Sequence, residues 1–295
     1  MLKVAIFCEY GVVFGMGHYS RCLLLKQKLH TLGFEVVLFT YNQDSRFDQA
    51  WFYGDNILSH LEGIDFVVID SYQAESRVYE IALQKVKKVI VIDDVARIPF
   101  PRDCVIFNGG IDTKDLYIAY PNEVYAGIEF MICDELFFQE KKVQSDKLII
   151  CFGGSDEGNL TQAVYDKVRD FFSEIIVILG PCYKAHFYGD CKIYRNIDAK
   201  SLCELFATAG YAITAGGRML NELLMSEILS IVIPVAKNQM HQVEAYARYN
   251  VIIQTTLEHL QADIQKTNLL SKEQIYQFKK KFGSQLNDKL LQVLK

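Results

Sequence analysis

Short apolar segments alternating with helical stretches constrain this chain more than any other feature, because strands buried on both faces form a parallel sheet wrapped by helices. In the first half these segments are residues 4–7, 36–39, 66–69, 89–92 and 105–107. After Pro121 the pattern loosens around Gly127-Ile128-Glu129-Phe130, and the polar segment 139–147 reads as a linker. The rhythm then restarts, with further strands predicted at 148–152, 175–179, 192–194, 211–214, 231–233 and 251–253. For 295 residues this predicts an α/β protein of two Rossmann-like domains, 1–140 and 141–295. Their parallel sheets are expected to face each other across a cleft lined by the carboxyl ends of the strands, where ligands of open α/β sheets bind. From about Ser271 onward the sequence predicts a solvated amphipathic helix rich in Lys and Gln.

Composition narrows the function. With 51% hydrophobic and 23% charged residues, the chain can fill sizeable cores with little disorder. A net charge of -5 argues against nucleic acid or an anionic membrane as the main partner. The eight cysteines are scattered without a C-x-x-C pair and read as small core residues of a reducing compartment. Glu9 interrupts the first apolar run and no small-residue cleavage site follows it, so residues 1–7 read as a strand rather than an export signal. No run approaches the roughly 20 apolar residues needed to span a bilayer, and the expectation is a soluble, cytoplasmic protein. No D-x-D triplet, H-E-x-x-H pair or close His/Asp/Glu cluster occurs, so neither a metal nor a cofactor is expected; G-x-S-x-G and P-loop motifs are also missing.

The glycine-rich loops fall at strand ends. Gly15-Met16-Gly17-His18-Tyr19-Ser20-Arg21 joins the first strand to a helix marked by Leu23, Leu24, Leu25 and Leu29. Gly15 and Gly17 permit close ligand approach, and the free N–H groups of the helix start suit an anion. His18 is the first residue to suspect of chemistry, although such a turn also suits a histidine that caps or packs. Gly153-Gly154-Ser155-Asp156 repeats the arrangement, with either a diphosphate contact or a helix cap as its role. Ala215-Gly216-Gly217-Arg218-Met219-Leu220-Asn221-Glu222 is a third such loop, in which Arg218 can pair with phosphate and Glu222 can accept from ribose hydroxyls. Asn238 and Gln239 supply neutral groups suited to sugar hydroxyls or acetamido groups, and Asp70-Ser71-Tyr72 can place a phenol in the cleft. Asp93-Asp94 reads first as loop and helix capping. Three loops over two domains suit a nucleotide-sugar enzyme better than a dinucleotide fold.

In this order the motifs resemble the PseG-like UDP-sugar hydrolases of pseudaminic acid biosynthesis and, more broadly, the two-domain GT-B proteins related to MurG. The resemblance rests on Gly15-x-Gly17-His18-x-x-Arg21, Asp70-Ser71-Tyr72, Ile92-Asp93-Asp94, Cys151-Phe152-Gly153-Gly154-Ser155-Asp156, Asn159-Leu160, Asn221-Glu222-Leu223 and Asn238-Gln239. It implies a GT-B fold and metal-independent cleavage of UDP-2,4-diacetamido-2,4,6-trideoxy-L-altrose. It also implies that His18 is the catalytic histidine. Gly15, Gly17, Arg21, Tyr72, Gly154, Ser155, Gly217, Arg218, Met219, Glu222, Asn238 and Gln239 are the expected substrate contacts, with UDP held mainly by the second domain. The chain departs from the family at Phe7-Cys8-Glu9, where many relatives carry Arg-x-Asp, at the apolar Val12, Val13 and Phe14, and at Gly217-Arg218-Met219, where small hydroxyl residues are frequent. A GT-B glycosyltransferase using the same histidine on an acceptor hydroxyl, and a nucleotide-sugar-binding protein without catalysis, are the alternative expectations.

Overall fold

The computed structural model describes residues 1–11, 16–42, 50–138, 145–154, 156 and 158–295. The chain divides into two units, one of Met1–Cys133 with Phe282–Lys295 and one of Asp134–Lys281.

In the first unit, strands β1 (Lys3–Glu9), β2 (Glu35–Tyr41), β3 (Phe66–Asp70), β4 (Lys88–Ile92), β5 (Cys104–Asn108) and β6 (Glu123–Ala126) form one sheet. Its order is β2-β1-β3-β4-β5-β6 and every pairing is parallel. Helix α1 (Gly17–Thr31) follows β1, and α2 (Ser76–Lys85) follows β3. Successive residues of a strand point to opposite faces, so β1 sends Ala5 and Phe7 into one apolar layer and Val4, Ile6 and Cys8 into the other. Because both layers are covered, the strands read as continuous apolar runs, and β3 and β5 are buried throughout. The edge strand β6, which the sequence pattern does not mark, has among the described residues only β5 as a partner, and only its Ala126 is buried.

In the second unit, β7 (Lys147–Cys151), β8 (Glu174–Leu179), β9 (Lys192–Arg195), β10 (Tyr211–Thr214), β11 (Leu229–Val232) and β12 (Ile252–Gln254) are ordered β12-β11-β10-β7-β8-β9, again all parallel. The helices are α3 (Leu160–Val168), α4 (Ala199–Thr208), α5 (Arg218–Met225), α6 (Lys237–Arg248), α7 (Leu260–Ile264) and α8 (Lys272–Lys281). Strand order reverses between β1 and β3 in the first sheet and between β7 and β10 in the second, the places where open α/β sheets leave a crevice.

The tail differs from the single solvated helix expected of it. After α8 the chain turns at Gly283, whose φ of +63° and distance of 2.8 Å from an added Cβ to Met131 O both favour glycine. Helix α9 (Leu286–Val293) then places Leu286, Leu290, Val293 and Leu294 in the core layer of the first unit beside Leu25 and Leu29. Residues 282–295 therefore interrupt the contiguous 141–295 expected from the sequence. Burying each such side chain contributes about 1.5–3 kcal/mol, so deleting residues 282–295 is expected to remove stabilisation comparable with that of a whole domain. A thermal melt with an apolar dye checks this: the truncated protein binds dye well below the melting temperature of the intact one. Among the described residues, no helix is long and apolar enough to cross a membrane, and none of the eight cysteines is joined in a disulfide.

Candidate active site

The carboxyl ends of β1, β3 and β4 deliver the ionisable groups of the first unit to one place. Helix α1 buries one stripe, His18, Cys22, Leu25 and Leu29, at helical spacing, while Leu23 is exposed. His18 continues that stripe at the first turn and is only 7% exposed. Its Nδ1 lies 2.5 Å from Oδ1 of Asp70, the last residue of β3, which is fully buried. Arg21, one turn on, meets the same carboxylate with Nε at 2.8 Å from Oδ2 and Nη2 at 2.7 Å from Oδ1. Its Nη1 and Nη2 also donate to Asp94 Oδ1 and Oδ2, at 2.8 and 3.1 Å. One planar fork thus bridges two carboxylates, a geometry to which guanidinium is suited.

Charge fixes the tautomer. Burial raises the Asp70 pKa, but the charges of Arg21 and His18 and their hydrogen bonds outweigh it and hold the carboxyl well below its usual range. An ionised carboxylate only accepts hydrogen bonds, so Nδ1 of His18 carries the proton that bonds Asp70, and Nε2 is left as the basic nitrogen of the neutral ring. With Nδ1 protonated, the 3.4 Å approach of Arg21 Nη2 to that atom is a contact rather than a hydrogen bond. Burial lowers the His18 pKa, yet the charge and hydrogen bond of Asp70 more than compensate and raise it above the ordinary histidine value. Cys22 Sγ supplies a further donor to Asp70 Oδ2 at 3.5 Å.

Tyr72 stands edge-on to His18, with ring centroids 4.5 Å apart, and its hydroxyl donates to Asp94 Oδ2 at 2.9 Å. Burial and the neighbouring Asp94 push the phenol above its usual range, so it remains a donor. The turn that carries Tyr72 is tied to β1: Glu9 Oε1 accepts from Ser71 Oγ at 3.0 Å and from the Tyr72 N–H at 2.7 Å. Asp93 and Asp94, adjacent in sequence, separate by function. Asp93 accepts from the Ala96 N–H and the Tyr117 hydroxyl as a loop cap, as expected, whereas Asp94 faces Arg21 and Tyr72.

In the second unit, the loops after β7 and β10 flank the point where strand order reverses. Asp156 caps α3 by accepting from the Leu160 and Thr161 N–H groups at 2.8 and 2.9 Å. Gly153 and Gly154 lie against Gly180, where an added Cβ would come 2.2 Å from Gly153 O. The loop after β10 is clamped by α6. Gln239 Oε1 accepts from the N–H groups of Gly216 and Val235, at 3.2 and 3.0 Å, and Gln242 Nε2 donates to Gly216 O at 2.9 Å. Gly216 is packed, since a Cβ there would lie 2.3 Å from a Val243 methyl, but among the described residues Cβ atoms at Gly154 and Gly217 would meet no atom beyond their chain neighbours closer than 3.8 Å. Helix α5 starts at Arg218 without a side-chain cap. Arg218 Nε pairs with the buried Glu222 at 3.0 Å, and its Nη1 is buried without a partner among the described residues. Burial raises the Glu222 pKa, opposed by Arg218.

Of the residues singled out from sequence, His18, Arg21 and Tyr72 come together in the first unit. Gly217, Arg218, Glu222 and Gln239 come together in the second. Gly17 begins α1 with space around it, Met219 is half-buried in α5, and Asn238 is exposed at the start of α6. Gly15 and Ser155 lie outside the described residues. Glu9, Asp70 and Asp94 complete the first group: from sequence, Glu9 and Asp70 carry no role of their own and Asp94 reads with Asp93 as capping, whereas Asp94 accepts from Arg21 and Tyr72; their common signal is an acidic residue at or just after the end of an apolar strand.

No protein-family model matches the chain. It is 25% identical over 302 residues to the pseudaminic acid cytidylyltransferase and UDP-2,4-diacetamido-2,4,6-trideoxy-beta-L-altropyranose hydrolase of Helicobacter pylori, an alignment covering 99% of this chain and 56% of the relative. The chain spans just over half the length of the curated relatives it matches, 56% and 58%. Among solved structures, LpCGTa in complex with UDP superposes with a TM-score of 0.69 at 10% identity, covering 100% of this chain and 99% of the other. MurG of Acinetobacter baumannii gives 0.62 at 12% identity, with 100% and 99% covered. In fold the chain is a GT-B protein, and in sequence it is similar along 99% of its length to a relative whose name includes a UDP-sugar hydrolase.

Proposed function

We propose that the protein hydrolyses a UDP-linked diacetamido-trideoxy sugar at its anomeric carbon, releasing UDP and the free sugar, in the cytoplasm and in service of pseudaminic acid synthesis. The observation that carries this reading is the pairing of His18 with an ionised, fully buried Asp70, which leaves Nε2 basic. The likeness to the Helicobacter pylori relative supports the choice of substrate. His18 Nε2 takes a proton from water as the water oxygen bonds to the anomeric carbon, and the bond from that carbon to the phosphate oxygen breaks with its electron pair leaving on UDP. UDP departs as a stable anion, so the reaction does not require the second carboxylic acid of ordinary glycoside hydrolysis. Asp70 stabilises the imidazolium that forms, and Arg21 with Asp94 holds Asp70 and Tyr72 in place. Gly17, Tyr72, Asn238 and Gln239 contact the sugar and Gly154, Gly217, Arg218, Met219 and Glu222 hold UDP, together with Gly15 and Ser155, while Arg21, expected as a substrate contact, is given to Asp70 and Asp94 instead.

The test is incubation with UDP-2,4-diacetamido-2,4,6-trideoxy-L-altrose and no acceptor. Equal amounts of UDP and free sugar support hydrolysis. Turnover only on adding an acceptor hydroxyl supports a glycosyltransferase with the same base, and binding without turnover supports a non-catalytic protein. Arg218→Ala removes one charged hydrogen bond to the diphosphate, worth about 1.5–3 kcal/mol, so the Kd for UDP is expected to rise about 10- to 100-fold by calorimetry. A Kd unchanged within twofold removes Arg218 from the nucleotide site.

A further inference from the structure

Glu9 ends β1 with a side chain that the reaction described above does not use. The residue is 1% exposed, and among the described residues only one of its two carboxylate oxygens is engaged. Oε1 takes both hydrogen bonds from the 71–72 turn, while Oε2 is buried with no partner among the described residues. A buried carboxylate oxygen without a donor is costly, and such atoms in native proteins call for a reason. The surroundings supply one. Through Oε1 the carboxylate is fastened to the backbone of Tyr72, whose ring lies against His18, and it is close enough for His18 and Asp70 to act on its charge. Burial pushes the Glu9 carboxyl up, while the Ser71 and Tyr72 bonds and His18 pull it back toward ionisation. Two fixed bonds on one oxygen orient the other, and a preorientated acceptor beside the base is what recognition of a bound donor demands.

We infer that Glu9 is a specificity-determining residue whose Oε2 accepts a hydrogen bond from an N–H or O–H group on the sugar of the bound nucleotide sugar. This rests on the proposed hydrolase reading and adds to it that the sugar must present a donor at this point. A site built to receive such a donor rejects analogues that lack it far more strongly than an apolar pocket rejects a missing methylene.

Glu9→Gln separates this role from a structural one. A glutamine keeps a carbonyl oxygen for Ser71 and Tyr72 but puts N–H groups where Oε2 stood, so donor would meet donor. In the intact protein, E9Q is expected to lower kcat/KM for UDP-2,4-diacetamido-2,4,6-trideoxy-L-altrose at least tenfold. With turnover blocked by His18→Asn, adding E9Q should weaken binding of that nucleotide sugar at least tenfold and leave UDP binding within twofold. Ser71→Ala, which removes a bond to Oε1 and the acceptor of the Gln73 and Ala74 N–H groups but leaves Oε2 in place, should stay within about threefold of the wild type. Wild-type kcat/KM and nucleotide-sugar affinity in E9Q overturn the proposal and leave the hydrolase reading standing. A kcat that falls with nucleotide-sugar affinity unchanged also overturns it, because the donor would then be water. Failure of E9Q to fold, judged by its thermal melt, counts against the proposal as well, since Oε2 would then be structural. If the wild type itself turns over no UDP-sugar, the hydrolase reading fails first and this inference falls with it.

Discussion

Asparagine in place of His18 is expected to reduce kcat by about 10²–10⁴, the usual contribution of a positioned general base, while the Kd for UDP stays within twofold. In free energy that is about 3–5 kcal/mol of barrier, at 1.36 kcal/mol for each factor of ten. Asparagine is the informative choice because its amide can still donate to Asp70, as Nδ1 does, yet it offers no basic nitrogen in place of Nε2. Single-turnover release of UDP at saturating UDP-sugar measures the chemical step, and calorimetry with UDP measures binding. Near-wild-type turnover in this variant would remove His18 from the mechanism.

Replacing Asp70 by asparagine should have an effect of similar size through a different route. Without the ionised carboxylate nothing obliges Nδ1 to hold the proton, and loss of the correct tautomer in a comparable His–Asp pair costs about 10⁴ in kcat. The pH profile should change as well. Neutral His18 is the active form, so kcat/KM of the wild type rises with pH through an imidazole pKa that Asp70 has lifted above the ordinary histidine value. Removing Asp70 leaves burial as the strongest influence on His18, and the acidic limb moves to lower pH. Stability also falls, by up to about 3–5 kcal/mol, because the partly buried Arg21 charge loses the Asp70 anion and keeps Asp94 as its charged partner among the described residues. The sign of its pH dependence follows from the depressed Asp70 pKa. The stabilisation from Asp70 is present in full above its unfolded value of about 3.9 and is lost as pH falls through the lower folded value, so D70N narrows the acid difference from wild type. Chemical denaturation at pH 7 and below pH 4 would record both.

The strands were legible because buried β-branched and aromatic runs of four to seven residues say the same thing in every register, and the two parallel sheets follow from their alternation with helices. β6 was not: it has one buried residue and lies just after Pro121, where the alternation loosens, whereas the equally thin edge strand β9, with none buried, keeps its place in that alternation at 192–194. His18 stood out because glycines flank it. Asp70, 52 residues away, did not, since the link between them is the pairing of Cys8 with Asp70 across β1 and β3 together with the start of α1, and a single sequence carries no register. Gln239 was legible as a polar loop residue but not as the clamp on Gly216, which depends on where α6 lies against the loop after β10. The return of the tail was written in Leu286, Leu290 and Leu294, four residues apart, but the Lys and Gln residues around them drew the eye toward solvent.

That return has a consequence for biosynthesis. The face of the first sheet beneath α1 lacks Leu286, Leu290, Val293 and Leu294 until the entire Asp134–Lys281 unit has been translated, so the portion made first on the ribosome is the one sealed last. The nascent N-terminal half therefore waits with an oily surface uncovered while its successor is being made, and that interval is when chaperones have most to guard.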